Sequence, residues 1–261
     1  MPVTDDVRAR AASGIEEMRA VAELFGAVWG RNADGVPIGS EMLQSIDHAD
    51  GLVTILEDPA TGLLLGAAAL GRGAGTTAYS YIAATAPGHE QRGLGMLLKL
   101  QQRDWCLARG ITSMRWTFDP LVGRNGRFNL TKLGATASRY ELEFYGVMSD
   151  QLNGNDPADR LLAEWNLIER PDGRAEPPAP APEATIVRGP DGSPAYAVTA
   201  GARWIRVPAD IVALRRTDPG QSAAWRLAVR SWFTAAFADG FVGVGVTPHG
   251  WYYMKPQEES P

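Results

Sequence analysis

Glu90-Gln91-Arg92-Gly93-Leu94-Gly95-Met96 is the stretch on which the reading of this chain turns. It lies between a strand-like run, Thr77–Thr85, and a helical run, Gly93–Arg109, closed by Gly110. Glycines at such a junction let the chain turn sharply and bring backbone N–H groups close to a ligand with no Cβ in the way. The free N–H groups of the first helical turn, aided by the helix dipole, then form an anion site into which a pyrophosphate fits. A Gly-x-Gly is equally compatible with a plain turn, so the flanking elements decide.

Outward from the loop, Ile15–Trp29 carries Met18, Val21, Ala22, Leu24, Phe25 and Val28 at helical spacing and stops at Gly30. Ser40–His48 reads as a second helix with Ser40 as N-cap. Strands follow at Gly51–Glu57, Leu63–Leu70 and Thr77–Thr85, the first two joined by the turn Asp58-Pro59-Ala60-Thr61-Gly62. In the long helix, Leu94, Leu97, Leu98, Trp105 and Ala108 define the expected buried face, with Gln101 on it. Strand Ile111–Phe118, short helix Arg124–Leu133 and strand Arg139–Tyr145 complete an α/β (α+β) layer. In it one helix crosses between two parallel neighbouring strands.

This context removes two phosphate-binding alternatives. A P-loop needs Gly-Lys-Ser/Thr where Met96-Leu97 stands. A dinucleotide fingerprint needs a third glycine and a parallel strand–helix–strand start, whereas hairpins precede this loop. The loop resembles that of the GNAT acyltransferases, Gln/Arg-x-x-Gly-x-Gly/Ala after an antiparallel strand: Gly93 and Gly95 match, and Glu90 replaces the usual Gln or Arg. Leu133-Gly134-Ala135 matches the family's closing Leu-Gly motif, and Trp116-Thr117-Phe118-Asp119-Pro120-Leu121 with Arg124-Asn125 and Phe128-Asn129-Leu130 looks like an uncharacterised bacterial branch.

The resemblance implies a mixed, mainly antiparallel sheet flanked by helices, and acetyl-CoA or another acyl-CoA as co-substrate. The pyrophosphate would lie on the amides of Gln91, Arg92, Gly93, Leu94, Gly95 and Met96, and the pantetheine along Ala83, Ala84 and Thr85. Asn125, Phe128 and Asn129 are further cofactor contacts on this reading. Many family members place an acidic tyrosine four residues before the Leu-Gly glycine; Leu130 stands there in this chain. That leaves Tyr81, Tyr145 or water to supply a proton. Asp119, at a strand end, is a candidate base or equally a turn former. Asp119 and Tyr81 are the catalytic side chains this reading selects. Glu57 reads as a solvated turn residue.

Two domains are expected: residues 1–150 as the acyl-CoA domain, and 151–261 as a smaller α/β half. The second half contains a Pro-rich surface loop at 170–182 and strands at 160–167, 184–188, 196–200, 204–207, 241–246 and 251–254. Its helix Ala223–Ala238 bears the apolar stripe Trp225, Val229, Trp232, Phe233, Ala236 and Phe237, and the strand–helix–strand order admits a degenerate repeat of the first half. Arg226 and Arg230 read as a paired or solvated face.

The 261 residues carry a net charge of −5, so no nucleic-acid partner is expected. No run approaches the roughly 18 apolar residues of a membrane span, the N-terminus lacks a signal-peptide core, and the cytoplasm follows as the expected location. Cys106 alone cannot form an intrachain disulfide and reads as a small buried hydrophobe. His48, His89 and His249 match no ligand spacing, so no metal is expected. The functional expectation is acyl transfer from CoA to a small-molecule amine or amino acid, in a protein that self-association into a homo-oligomer would not contradict. A non-catalytic acyl-CoA-binding or sensing module is the alternative, and a protein acetyltransferase a third.

Overall fold

A computed structural model describes residues 7–31, 36–90, 92–146, 156–169 and 174–257. The chain divides into two compact units, Met1–Trp116 with Asn166–Ile168, and Thr117–Trp165 with Glu169–Pro261. No described helix is long and apolar enough to cross a membrane.

The first unit contains β1 (Arg8–Ala11), α1 (Gly14–Trp29), α2 (Ser40–His48), β2 (Leu52–Glu57), β3 (Leu64–Arg72), β4 (Thr77–Thr85), α3 (Leu94–Leu107) and most of β5 (Ser113–Phe118). The strands lie in sequence order, antiparallel except for the parallel pair β4–β5 that α3 connects. Strand β3 is built from small residues, Gly66-Ala67-Ala68-Ala69, so helices pack closely on both of its faces. Ala67 and Ala69 meet Met18, Val21 and Phe25 of α1 and Leu43 of α2, whereas Ala68 meets Leu94 and Leu98 of α3. Asp58 closes the β2–β3 turn by accepting from the Ala60 N–H at 2.8 Å. Glu57 is not a solvated turn residue: it pairs with Arg10, which also pairs with Glu17. Gly39, not Ser40, occupies the N-cap of α2.

The second unit contains α4 (Gly123–Gly126) running into a π-helical turn (Arg127–Lys132), β6 (Thr136–Glu141), β7 (Arg160–Asn166), β8 (Thr185–Arg188), β9 (Pro194–Val198), β10 (Arg203–Arg206), α5 (Ile211–Thr217), α6 (Pro219–Ala238), β11 (Phe241–Val246) and β12 (Trp251–Pro256). Its strands run β7-β6-β11-β12-β10-β9-β8, and its described ladders are antiparallel. The unit boundary at Trp116 differs from the joint read near residue 150. The reason is the stripe on α6: Phe233 stacks on Tyr140 of β6 at 5.9 Å and meets Tyr252 of β12 edge-on at 5.1 Å. Residues on either side of 150 thus share one core. The repeat does not extend to topology, because β12 separates β10 from β11 where the first unit has β4 directly beside β5. The described part of the Pro-rich segment is tied to this sheet, with Trp204 Nε1 donating to the Pro178 carbonyl at 3.0 Å and Arg174 to the Val244 carbonyl at 2.8 Å.

Gly126 marks the tightest approach in this core. A Cβ there would fall on the hydroxyl of Tyr252, which donates to the Pro120 carbonyl at 2.8 Å. Gly126→Ala is expected to cost about 1–3 kcal/mol in denaturant unfolding through overpacking. In a Tyr252→Phe background the same change should cost markedly less. Equal costs in both backgrounds would contradict this account of the packing.

Candidate functional site at the parting of β4 and β5

Strand β4 is irregular at one residue. Ala69 of β3 faces Ile82 and Leu70 faces Ser80, which leaves Tyr81 without a partner in the ladder. Such a bulge inserts one residue and switches the faces of everything beyond it. Ser80 accordingly points to α3, bonding Lys99 and Gln102, while Ile82 and Ala84 join the core under α1 and α2. Tyr81 is 48% exposed, and its ring rests over Gly71, where any side chain would strike it.

The other edge of β4 opens at the same place. The β4–β5 ladder consists of Thr77, Ala78 and Tyr79 against Ser113, Met114 and Arg115, and goes no further. Beyond it β4 continues to Thr85 with β3 on one side. Backbone polar groups on such an opened edge must be hydrated or take a ligand's hydrogen bonds. Ala83 is exposed, Thr85 half-buried, and Ala84 buried through its side chain.

The glycine loop leads from this strand into α3. Gly93 is the N-cap at φ 78°, a left-handed conformation that favours glycine, and no side chain caps the helix. The N–H groups of Leu94 and Gly95 therefore remain available to an anion, while that of Met96 donates to the Gly93 carbonyl at 3.0 Å. Leu94 packs its side chain into the core beside Leu98, which anchors the turn, while Gly95 and Met96 are half-buried and Arg92 is exposed beside His89. Gln91 lies outside the described residues.

Among solved structures, YncA of Salmonella typhimurium, a candidate acetyltransferase solved with acetyl-CoA, aligns at a TM-score of 0.50 and 20% identity over 67% of this chain and 99% of its own. This is a GNAT fold. The Escherichia coli ribosomal-protein-S18-alanine N-acetyltransferase aligns at 0.51 and 13% identity, covering 64% of this chain and 97% of that one. A candidate GNAT acetyltransferase of Desulfovibrio desulfuricans gives 0.50 and 16%, covering 62% and 99%. No protein-family profile and no curated protein matches the sequence. The GNAT fold thus accounts for about two thirds of the chain.

One feature inside this GNAT fold escaped the sequence reading. The buried face of α3 is Leu94, Leu98, Lys99, Gln102 and Cys106, so the buried amide is Gln102 rather than Gln101, and a lysine accompanies it. Lys99 is 4% exposed. Its Nζ donates to Ser80 Oγ at 2.9 Å, lies 3.9 Å from Met114 Sδ, and sits 4.0 Å over the Trp116 ring. Ser80 in turn donates to Gln102 Oε1 at 3.1 Å. Burial brings Lys99 down to about 7, weakly opposed by the Cys106 thiol, which burial raises to about 11. The signal in the sequence is the lysine's place four residues after Gly95, directly beside Leu98 of the apolar stripe.

The remaining residues chosen from the sequence belong to the second unit. Asp119 is 7% exposed, and Arg226 grips it at 2.9 and 3.0 Å while Arg215 donates at 2.6 Å. Burial opposes its ionisation, but the charges and hydrogen bonds of Arg226 and the charge of Arg215 outweigh that and hold it well below the usual carboxylate range. A carboxylate so held is a poor proton acceptor, and the geometry gives Asp119 its turn and ion-pair role, with the Leu121 N–H also on Oδ1. Arg230 similarly grips Asp159. Asn125 of α4 is exposed and Asn129 of the π-helical turn buried, so the two do not share one surface; Phe128 is half-buried. Leu130, four residues before Gly134, is fully buried beside Gly243 of β11.

Two outcomes follow from these environments. Asp119→Asn leaves two buried arginines short of a counter-charge and is expected to cost roughly 3–5 kcal/mol of stability at neutral pH. The loss should fade only in acid below about pH 4, where the unfolded carboxyl protonates; a variant of unchanged stability at pH 7 would refute the structural role. Lys99→Met is expected to melt above wild type at pH 6, by more than about 1 kcal/mol in stability. Because the unfolded lysine keeps its proton to about pH 10.4, wild-type stability rises between pH 7 and 10 and the gap should close. A pH-independent difference between the two proteins would contradict a buried, depressed lysine.

Proposed function

We propose that the chain transfers an acyl group from acyl-CoA to the amine of a small molecule or amino acid. The observation that carries this reading is the coincidence, within one unit, of the opened β4 edge and the uncapped start of α3. The pantetheine arm, which carries amides, adds to Ala83–Thr85 as an extra strand would. The pyrophosphate lies on the amides of Arg92–Gly95. A backbone N–H of β4 polarises the thioester carbonyl, help worth roughly 2.7–4 kcal/mol in comparable sites. Tyr81, exposed at the bulge, hydrogen-bonds the incoming amine or its water. Asp119 takes no part as a base, since both of its oxygens are held by arginine. The amine then loses its proton to water, and turnover rises with pH as the acceptor deprotonates.

A non-catalytic acyl-CoA-binding role draws support from the burial of Leu130 at the place of the family's acid. Release of free thiol from acetyl-CoA in the presence of amines, amino acids and a peptide N-terminus separates the two readings. Gly95→Arg fills the anion site with a side chain and is expected to weaken CoA binding at least about 100-fold, roughly 2.7 kcal/mol, without unfolding the protein. Unchanged calorimetric affinity in the folded variant would place the cofactor elsewhere.

A further inference from the structure

Lys99 has no task in the chemistry described so far, yet the fold keeps it at a cost. The chain's lysines are Lys99, Lys132 and Lys255, and its other cationic side chains are arginines. A methionine would fill the same space without a buried charge. An arginine could not release a proton near neutral pH, whereas a buried lysine can.

Its location is specific. Tyr79 and Arg115 are the last paired residues of the β4–β5 ladder. The next two positions are Ser80 and Trp116, and the ammonium of Lys99 touches both. It therefore lies at the inner corner where the strands part. An ammonium has three donors. One goes to Ser80, and the thioether and the ring face are weak acceptors. The neighbouring Gln102 Nε2 is buried with no partner among the described residues, because the amide oxygen is the atom that Ser80 uses. The groups facing Lys99 are Cys106 from α3, Ser80 from β4, and Met114 and Trp116 from β5; no salt bridge joins it to a described carboxylate. Among the described residues the corner offers more donors than acceptors.

We propose that Lys99 meets the negative charge that develops on the thioester sulfur at this corner and supplies the proton that releases CoA as a thiol. The inference rests on the acyl-CoA reading above. As the acceptor nitrogen bonds the carbonyl carbon, the C–S bond breaks and the sulfur leaves with the electron pair. A proton passes from Lys99 Nζ to that sulfur, the new amide nitrogen loses its own proton to water, and the neutral lysine is reprotonated from solvent. Lys99 thereby does what the family's tyrosine does elsewhere.

Bound CoA itself is the probe, so no acceptor need be known. Thiolate absorbance of the CoA complex, taken as the difference from the desulfo-CoA complex, is titrated in wild type and Lys99→Met. An ammonium close to the sulfur lowers the thiol's titration by about one unit or more relative to Lys99→Met, and desulfo-CoA binds both proteins alike. Identical thiol titrations overturn the proposal while leaving the acyl-CoA reading intact; a wild type that binds neither ligand overturns that reading as well. Should Lys99→Met fail to fold, 15N-lysine NMR of the wild type serves instead. The titration of Lys99 is expected to move upward on adding CoA but not desulfo-CoA, and equal responses to the two ligands reject the role.

Discussion

The β4–β5 ladder stops after Tyr79 and Arg115, and the chemistry available to the first unit depends on that break. A parallel pair inside a sheet normally keeps exchanging hydrogen bonds, and leaving main-chain groups open is costly unless water or a ligand satisfies them. The bulge at Tyr81 is what sustains the opening. It turns Ser80 toward α3 and Ile82 and Ala84 toward α1, so that β4 is anchored by packing on both faces just where it loses a neighbour. Gly71 makes the bulge possible by leaving room for the tyrosine ring.

The same economy of small residues recurs around the helices. Gly66–Ala69 of β3 allows close helix packing on both faces, and Leu94 and Leu98 fix α3 with its first-turn amides uncapped. A helix start exposed in this way is held by side chains buried one turn later, which is why the loop can bind an anion without a capping residue. Within the second unit, buried ion pairs accompany the apolar packing of α6. Asp119 and Asp159 are each gripped by arginines of α6, and Tyr140 shares the second of them.

The elements flanking the glycine loop were legible because their periods are clean. Thr77–Thr85 and the helix beginning at the loop have the bounds expected to within two residues, and the hairpin turn at Asp58 follows from its own side chain. Strand β1 is not legible since the apolar positions of Arg-Ala-Arg-Ala are alanines, poor strand formers with little surface to bury, and α5 since its seven residues are too short to show a period. The expected strand Arg139–Tyr145 is β6, shifted to Thr136–Glu141, because Glu143 at φ 45° breaks the run into a turn. The site was half legible. Backbone cradles are encoded by glycine positions, which a sequence displays. The partners of Asp119 are not, as Arg215 and Arg226 lie some hundred residues along the chain. Lys99 is hidden because the face expected from the sequence runs through Leu97 and Gln101, one residue away from the observed line through Leu98 and Gln102.

Amide hydrogen exchange on the full chain, with and without CoA, tests the central claim most directly. The account predicts that CoA slows exchange in two stretches, Ser80–Thr85 of β4 and Leu94–Gly95 at the start of α3, since open amides there gain acceptors from the pantetheine and the pyrophosphate. Binding accompanied by protection elsewhere, with both stretches unchanged, would contradict it.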